Sequence, residues 1–138
     1  SLENLNAFMG SCDALVVTLP LSDNTKSLIN AKAIQCMRHD AILINVGRGA
    51  VIDESALYEA LKNEIIAGAL IDTWYQYPSS DTATCAPSKY DFASLENVVM
   101  TPHMSGWTEG TVQRRKQTIA DNNNRLWAGQ ALLNVLSD

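Results

Sequence analysis

Apolar residues gather in four short runs with little of the polar alternation of a half-solvated strand: Ala14–Leu19 (ALVVTL), Ala41–Val46 (AILINV), Gly68–Trp74 (GALIDTW) and Val98–Thr101. Runs of this length and composition predict parallel strands, and AILINV in particular predicts a strand covered on both faces. Helical spacing fills the intervals. Leu2, Leu5, Phe8 and Met9 predict a helix from Ser1 to Met9, with Gly10 as its stop. Asn30 is placed to cap a helix over Ala31–Met37, and Asp53 one running to about Lys62. Glu54 and Glu59 suit the dipole of that second helix, and Ala56, Leu57, Ala60 and Leu61 form its packing stripe. The last helix is predicted from about Thr108 to Ala128, stopped by Gly129. Its stripe (Val112, Ile119, Ala120, Leu126, Trp127) is thin, and Asn122, Asn123 and Asn124 weaken it locally.

Strands alternating with helices predict an α/β fold: about four parallel strands joined by right-handed crossovers. ALVVTL at one edge of such a half-sheet would leave an apolar ladder unpaired, so a missing or swapped partner strand is expected. The G-x-G-x-x-G turn that opens a dinucleotide fold does not occur in the 138 residues. The chain opens on Ser1 without an initiator methionine, as expected of a piece of something longer. Tyr75 to Asn97 is a long connection rich in Pro, Ser, Thr and aromatics, a length usually tied to function or mobility.

Composition narrows the function classes. Apolar residues make up 46% and charged residues 18%, as in a globular protein. Fifteen acidic against ten basic residues give a net charge of −5, the wrong sign for a nucleic-acid or anionic-membrane surface. No apolar run approaches the roughly 20 residues of a membrane helix. Cys12, Cys36 and Cys85 are odd in number and lack a CxxC spacing, which points to reduced thiols and a cytoplasmic location. His39 and His103 show no metal-ligand spacing, so no metal site is expected.

Three polar groups follow or nearly end predicted strands: Arg48, Asp72 and His103. Ligands of open parallel sheets collect at the carboxyl ends of strands. A guanidinium captures a carboxylate with two parallel hydrogen bonds, and an imidazole gives or takes a proton near neutrality. Arginine with histidine, and no nucleophile or metal, suits reversible reduction of a 2-oxo acid by a hydride-donating cofactor. Gly47 and Gly49 would let the backbone turn sharply and approach a ligand on either side of Arg48. Blander alternatives stand beside these. Arg48 would be a surface residue paired with Asp53 or Glu54, His103 a polar strand terminator, and Asp72 an acceptor for nearby backbone. Trp74, Tyr75 and Tyr77 are expected to pack the loop.

The blocks CDALVVTLPLSDNTKSLIN, HDAILINVGRGAVIDESALYEAL, IAGALIDTW and NVVMTPHMSGWT, in this order and spacing, resemble the D-isomer-specific 2-hydroxyacid dehydrogenases. The likeness is to the C-terminal part of their nucleotide-binding domain. It implies a partial Rossmann-like sheet lacking the N-terminal half of the fold. Residues 1–138 would form one partial domain, whose helix from about residue 108 packs toward a substrate domain outside the chain. It also implies that Arg48 binds the substrate carboxylate and carbonyl and that His103 is the proton donor and acceptor. Asp72 would orient the nicotinamide end of the cofactor, with Val46, Gly47, Ser105 and Gly106 walling it and Leu19-Pro20 lining the cofactor cleft. NAD is favoured over NADP, the substrate is a small 2-oxo or 2-hydroxy acid, and the assembly is a homodimer. One departure is Tyr77, which stands before Pro78 where the family usually has a glutamate hydrogen-bonded to the histidine. A tyrosine offers only a neutral hydrogen bond, so an acid-shifted optimum for carbonyl reduction is expected. The alternatives are a dinucleotide-sensing regulatory or corepressor-like protein on the same fold, or an inactive fragment.

Overall fold

The computed structural model describes residues 4–79 and 84–136. The chain divides into two compact units, one ending at His103 and the other beginning at Met104. The first holds a four-stranded parallel sheet in sequential order: β1 (Ala14–Val17), β2 (Ile42–Asn45), β3 (Gly68–Ile71) and β4 (Val98–Met100). Helices α1 (Leu5–Gly10), α2 (Ala31–Gln35) and α3 (Glu54–Lys62) precede β1, β2 and β3 in turn. A two-residue loop cannot return the chain to a parallel neighbour, so each crossover carries a helix or, before β4, a long connection.

The caps read from the sequence are in place. Asn30 Oδ1 accepts from Ala33 N at 3.1 Å, and Asp53 Oδ1 from Ala56 N at 2.9 Å. The first four backbone N–H groups of a helix have no partner within it, and a side-chain cap that accepts from one of them is worth about 1 kcal/mol. α2 is shorter than expected, because Cys36 and Met37 close it with bonds back to Ala33 and Ile34.

Register assigns the two sheet faces. Leu15, Leu43, Ala69 and Val98 lie on one rung, and Val17, Asn45, Ile71 and Met100 on the next rung of the same face. These residues meet Met9, Ala33, Ile34, Leu57 and Leu61 in a single apolar core. The other face carries Val16, Ile42 and Val99, which are 54%, 45% and 57% exposed. Coverage of AILINV on both faces is therefore corrected. Within this chain β2 alternates, and only β3 is close to buried throughout. The strands also stop earlier than the apolar runs: Thr18 and Leu19 lie beyond β1, and Asp72 one residue beyond β3. β1 is an edge strand, as expected.

The connection before β4 is fastened to α3. Glu54 accepts from the Ser88 hydroxyl at 2.8 Å and from Lys89 N at 3.1 Å, and a 3-10 turn at Phe92–Ser94 buries Phe92 edge-on to Trp74 and Tyr58. Residues 80–83 of that connection, and Ser1 to Glu3 of the first helix, lie outside the described residues.

The second unit is helix α4 (Glu109–Trp127), capped by Thr108 and followed by Gly129 at φ +65°. None of its residues is buried, and Ile119, Leu126 and Trp127 of the expected stripe are 63%, 67% and 91% exposed. Asn122 does not break the helix. Its amide instead holds the Leu133 peptide through both N–H (2.8 Å) and carbonyl (3.1 Å). Among the described residues no helix is long and apolar enough to cross a membrane.

Candidate active site

The sheet's last rung is Val17, Asn45, Ile71 and Met100. One further round of ladder bonds ties the residues that follow: Val46 N to Val17 O (3.1 Å), Asp72 N to Asn45 O (3.0 Å) and Thr101 N to Ile71 O (3.0 Å). The segments carrying Arg48, Asp72 and His103 therefore leave the sheet side by side at its carboxyl edge. Ordinary strand spacing sets the β2 and β4 backbones about 10 Å apart, with Asp72 between them.

Arg48 is exposed, and its guanidinium donates to its neighbour's carbonyl, Gly47 O, at 2.7 Å. Among the described residues Arg48 forms no ion pair with Asp53 or Glu54, whose carboxylates are engaged elsewhere. Asp53 caps α3, where the Ala56 N–H and then the Ser55 hydroxyl hold it below the usual carboxylate range, and Glu54 serves Ser88 and Lys89.

The two glycines also meet a packing constraint. A Cβ at Gly47 would come within 2.7 Å of Leu19 O, and one at Gly49 within 2.4 Å of Trp74 O. Neither glycine has a positive φ. Both admit neighbouring backbone, Gly47 at a bend and Gly49 at the start of a 3-10 turn, and so wedge the Arg48 turn between the ends of β1 and β3.

Asp72 is fully buried and accepts from the Thr101 hydroxyl at 2.5 Å. A buried carboxylate is tolerable only when hydrogen-bonded in this way. Trp74, buried as expected, links the same two strand ends: its indole donates to Thr101 O at 2.9 Å, and its backbone N–H to the Tyr77 hydroxyl at 2.8 Å. Tyr77 is half exposed, and its ring centroid lies 5.5 Å from that of His103. The hydroxyl thus binds Trp74, and Tyr77 meets the imidazole with its ring. The neutral hydrogen bond expected between Tyr77 and His103 is replaced by ring contact. His103 itself is exposed with φ +57°, a conformation that costs a residue bearing a Cβ about 1 kcal/mol and that recurs at functional sites.

Leu19 and Pro20 are exposed beyond β1, Leu19 at 41%. Ser105 and Gly106 open the second unit, in a turn closed by Trp107 N to Met104 O at 2.8 Å. A cleft of about 470 Å³ beside Tyr77 is lined by Trp74, Gln76, Tyr77, Pro78, Cys85, Pro87, Met100, Thr101 and Pro102. A larger one of about 530 Å³ between α2 and α3 contains none of the candidate residues. Asn45, Trp74 and Thr101 were not singled out as supports from the sequence. The available signal was a polar residue ending an apolar run, as in Asn45 after ILI and Thr101 after VVM.

The family model described as the NAD-binding domain of D-isomer-specific 2-hydroxyacid dehydrogenases matches residues 1–105.

The chain belongs to the D-isomer-specific 2-hydroxyacid dehydrogenase family.

Among members of that family, it is 33% identical over 129 residues to a glycerate dehydrogenase of Methylorubrum extorquens, covering 94% of this chain and 40% of that protein. It is 31% identical over 128 residues to a mitochondrial formate dehydrogenase of Hordeum vulgare, covering 93% of this chain and 32% of that protein. The crystal structure of a D-lactate dehydrogenase with NAD+ from Lactobacillus jensenii superposes with a TM-score of 0.83 at 30% identity, over 96% of this chain and 42% of that one. The partial Rossmann-like α/β sheet is thereby established. The chain spans 32% and 40% of the length of these two curated relatives.

Proposed function

We propose that the protein carrying this chain is an NAD(P)-dependent oxidoreductase that interconverts a 2-hydroxy acid and a 2-oxo acid. The observation that carries the reading is the shared sheet edge, where the Arg48 and His103 segments flank buried Asp72. The residues present fit a nicotinamide. Asp72 is an acceptor of the kind a carboxamide N–H requires, and exposed Leu19 and Pro20 offer an apolar wall. When bound, the dinucleotide supplies or accepts the hydride. NAD is the favoured form, in keeping with the family description.

Arg48 turns from the Gly47 carbonyl to the substrate carboxylate and polarises the adjoining carbonyl, a task suited to a planar fork of donors. His103 gives a proton to the carbonyl oxygen in reduction and takes it back in oxidation. Asp72 orients the nicotinamide end, with Val46, Gly47, Ser105 and Gly106 as walls. Tyr77 shapes His103's surroundings without supplying a charge. The G-x-G-x-x-G turn is absent from this sequence, so the chain on its own binds dinucleotide poorly. α4, exposed along its apolar stripe, packs toward a substrate domain outside the chain. The whole protein is a cytoplasmic homodimer that takes small acids rather than nucleic acid or membrane.

Loss of the family's glutamate at Tyr77 favours a second reading, a dinucleotide-sensing binding protein on the same fold. Retention of both Arg48 and His103 favours the enzyme. The test is NADH and NADPH absorbance with glyoxylate, hydroxypyruvate and pyruvate, using the full-length protein. Oxidation that disappears in Arg48→Ala supports the dehydrogenase, and cofactor binding without turnover of any acid supports the sensor.

A further inference from the structure

The amide of Asn45 is a polar group set into the core. It is 1% exposed, sits on the face that otherwise carries Val17, Leu43 and Ile71, and replaces a side chain that would have added to the apolar contacts there. A buried amide is destabilising unless its donor and acceptor are both used. Both are used, and both on the same short turn: Oδ1 accepts from Gly47 N at 3.1 Å, and Nδ2 donates to Arg48 O at 3.2 Å. Neither bond joins Asn45 to another strand or to a helix. The turn is also confined laterally, since Gly47 lies against Leu19 O and Gly49 against Trp74 O. Backbone is thus fixed on both sides of Arg48, leaving the side chain as the part that moves.

We infer that Asn45 is the positioning residue for Arg48: its amide fixes the peptide from which the guanidinium reaches the acid substrate. The inference rests on the proposed dehydrogenase reading and adds a residue that acts on the acid through Arg48. Displacement of a positioned group by about 1 Å is enough to cost orders of magnitude in rate, so one lost bond here is measurable.

Two substitutions separate the bonds. Asn45→Asp keeps an acceptor for Gly47 N and loses the donor to Arg48 O, whereas Asn45→Ala loses both. In the full-length protein, oxalate, a planar dicarboxylate resembling a 2-oxo acid, serves as a probe by calorimetry, beside KM values for the oxo acid and for NADH. For Asn45→Asp, oxalate affinity falls and the oxo-acid KM rises, each about tenfold, while the NADH KM stays within about twofold. Asn45→Ala weakens oxalate at least as much and also disturbs NADH, through Gly47. A merely structural role would lower the melting temperature and the active fraction and leave the KM of the surviving enzyme unchanged. Folded variants that bind oxalate like the wild type overturn the inference, and so does failure of both variants to fold. Wild-type protein that neither binds oxalate nor reduces a 2-oxo acid overturns the functional reading itself.

Discussion

Gly49→Ala tests how tightly the Arg48 turn is wedged. The added methyl would lie 2.4 Å from Trp74 O and 2.6 Å from Trp74 C, and both atoms are backbone. Ordinary contact begins at 3.4 Å, so one of the two segments has to retreat by about 1 Å. Overpacking of this kind costs about 2 kcal/mol. For a chain of this length that is about 7 °C in melting temperature. The retreat also reaches the site. Trp74 holds Tyr77 through its N–H at 2.8 Å and Thr101 through its indole at 2.9 Å, and a further 1 Å takes either bond out of range. Because Tyr77 and Thr101 bracket His103, kcat/KM falls about a hundredfold in the complete enzyme. Urea denaturation gives the first quantity and NADH-linked kinetics the second. Gly110→Ala is the stability control. Its Cβ meets only the movable Arg114 guanidinium at 3.1 Å, and alanine within a helix is favoured over glycine by about 0.5–1 kcal/mol. A Gly49→Ala protein within about 0.5 kcal/mol of wild type, an ordinary surface effect, would refute the wedge.

Asp53→Ala removes the cap of α3 and lowers stability by about 1 kcal/mol. Because the Ala56 N–H and the Ser55 hydroxyl hold the Asp53 carboxyl below its usual range, its contribution is full above about pH 4 and lost as pH falls through the folded value. The variant's urea midpoint should therefore fall less than the wild type's between neutral pH and pH 3, and parallel curves would contradict this. Tyr75→Phe should be neutral or stabilising by up to about 1 kcal/mol, since the Tyr75 hydroxyl is buried with no hydrogen-bond partner. Burial, and then the charges of Glu54 and Asp53, push that phenol upward, so wild-type stability declines as pH rises above about 10 and this part of the decline vanishes in Tyr75→Phe. Tyr77→Glu sets an anion beside His103 and should extend carbonyl reduction to higher pH by about one unit. An unchanged pH–rate profile would remove Tyr77 from the site.

The four strands, the helices between them and the caps were legible in the sequence because each has a local cause. Asn30 and Asp53 stand directly before helical stripes, and four apolar runs alternate with them. The half-open sheet face was not legible. AILINV is apolar at every position but Asn45, and composition alone cannot tell which of Ile42 and Leu43 meets a helix. The packing constraint on Gly47 and Gly49 was hidden for a similar reason: it comes from Leu19 and Trp74, each more than 20 residues away, and not from their own φ. The placement of Arg48 and His103 after strand ends was legible in the order of apolar runs. What Tyr77 does was not, since its hydroxyl had two partners within reach and only the fold selects Trp74 over the imidazole.

The most direct test is a crystal structure of the full-length protein with NADH and oxamate. The account predicts the Arg48 guanidinium on the oxamate carboxylate and the His103 imidazole within hydrogen-bond distance of its amide carbonyl oxygen, both on one ligand. Oxamate held by other residues, with Arg48 and His103 facing different cavities, would contradict it.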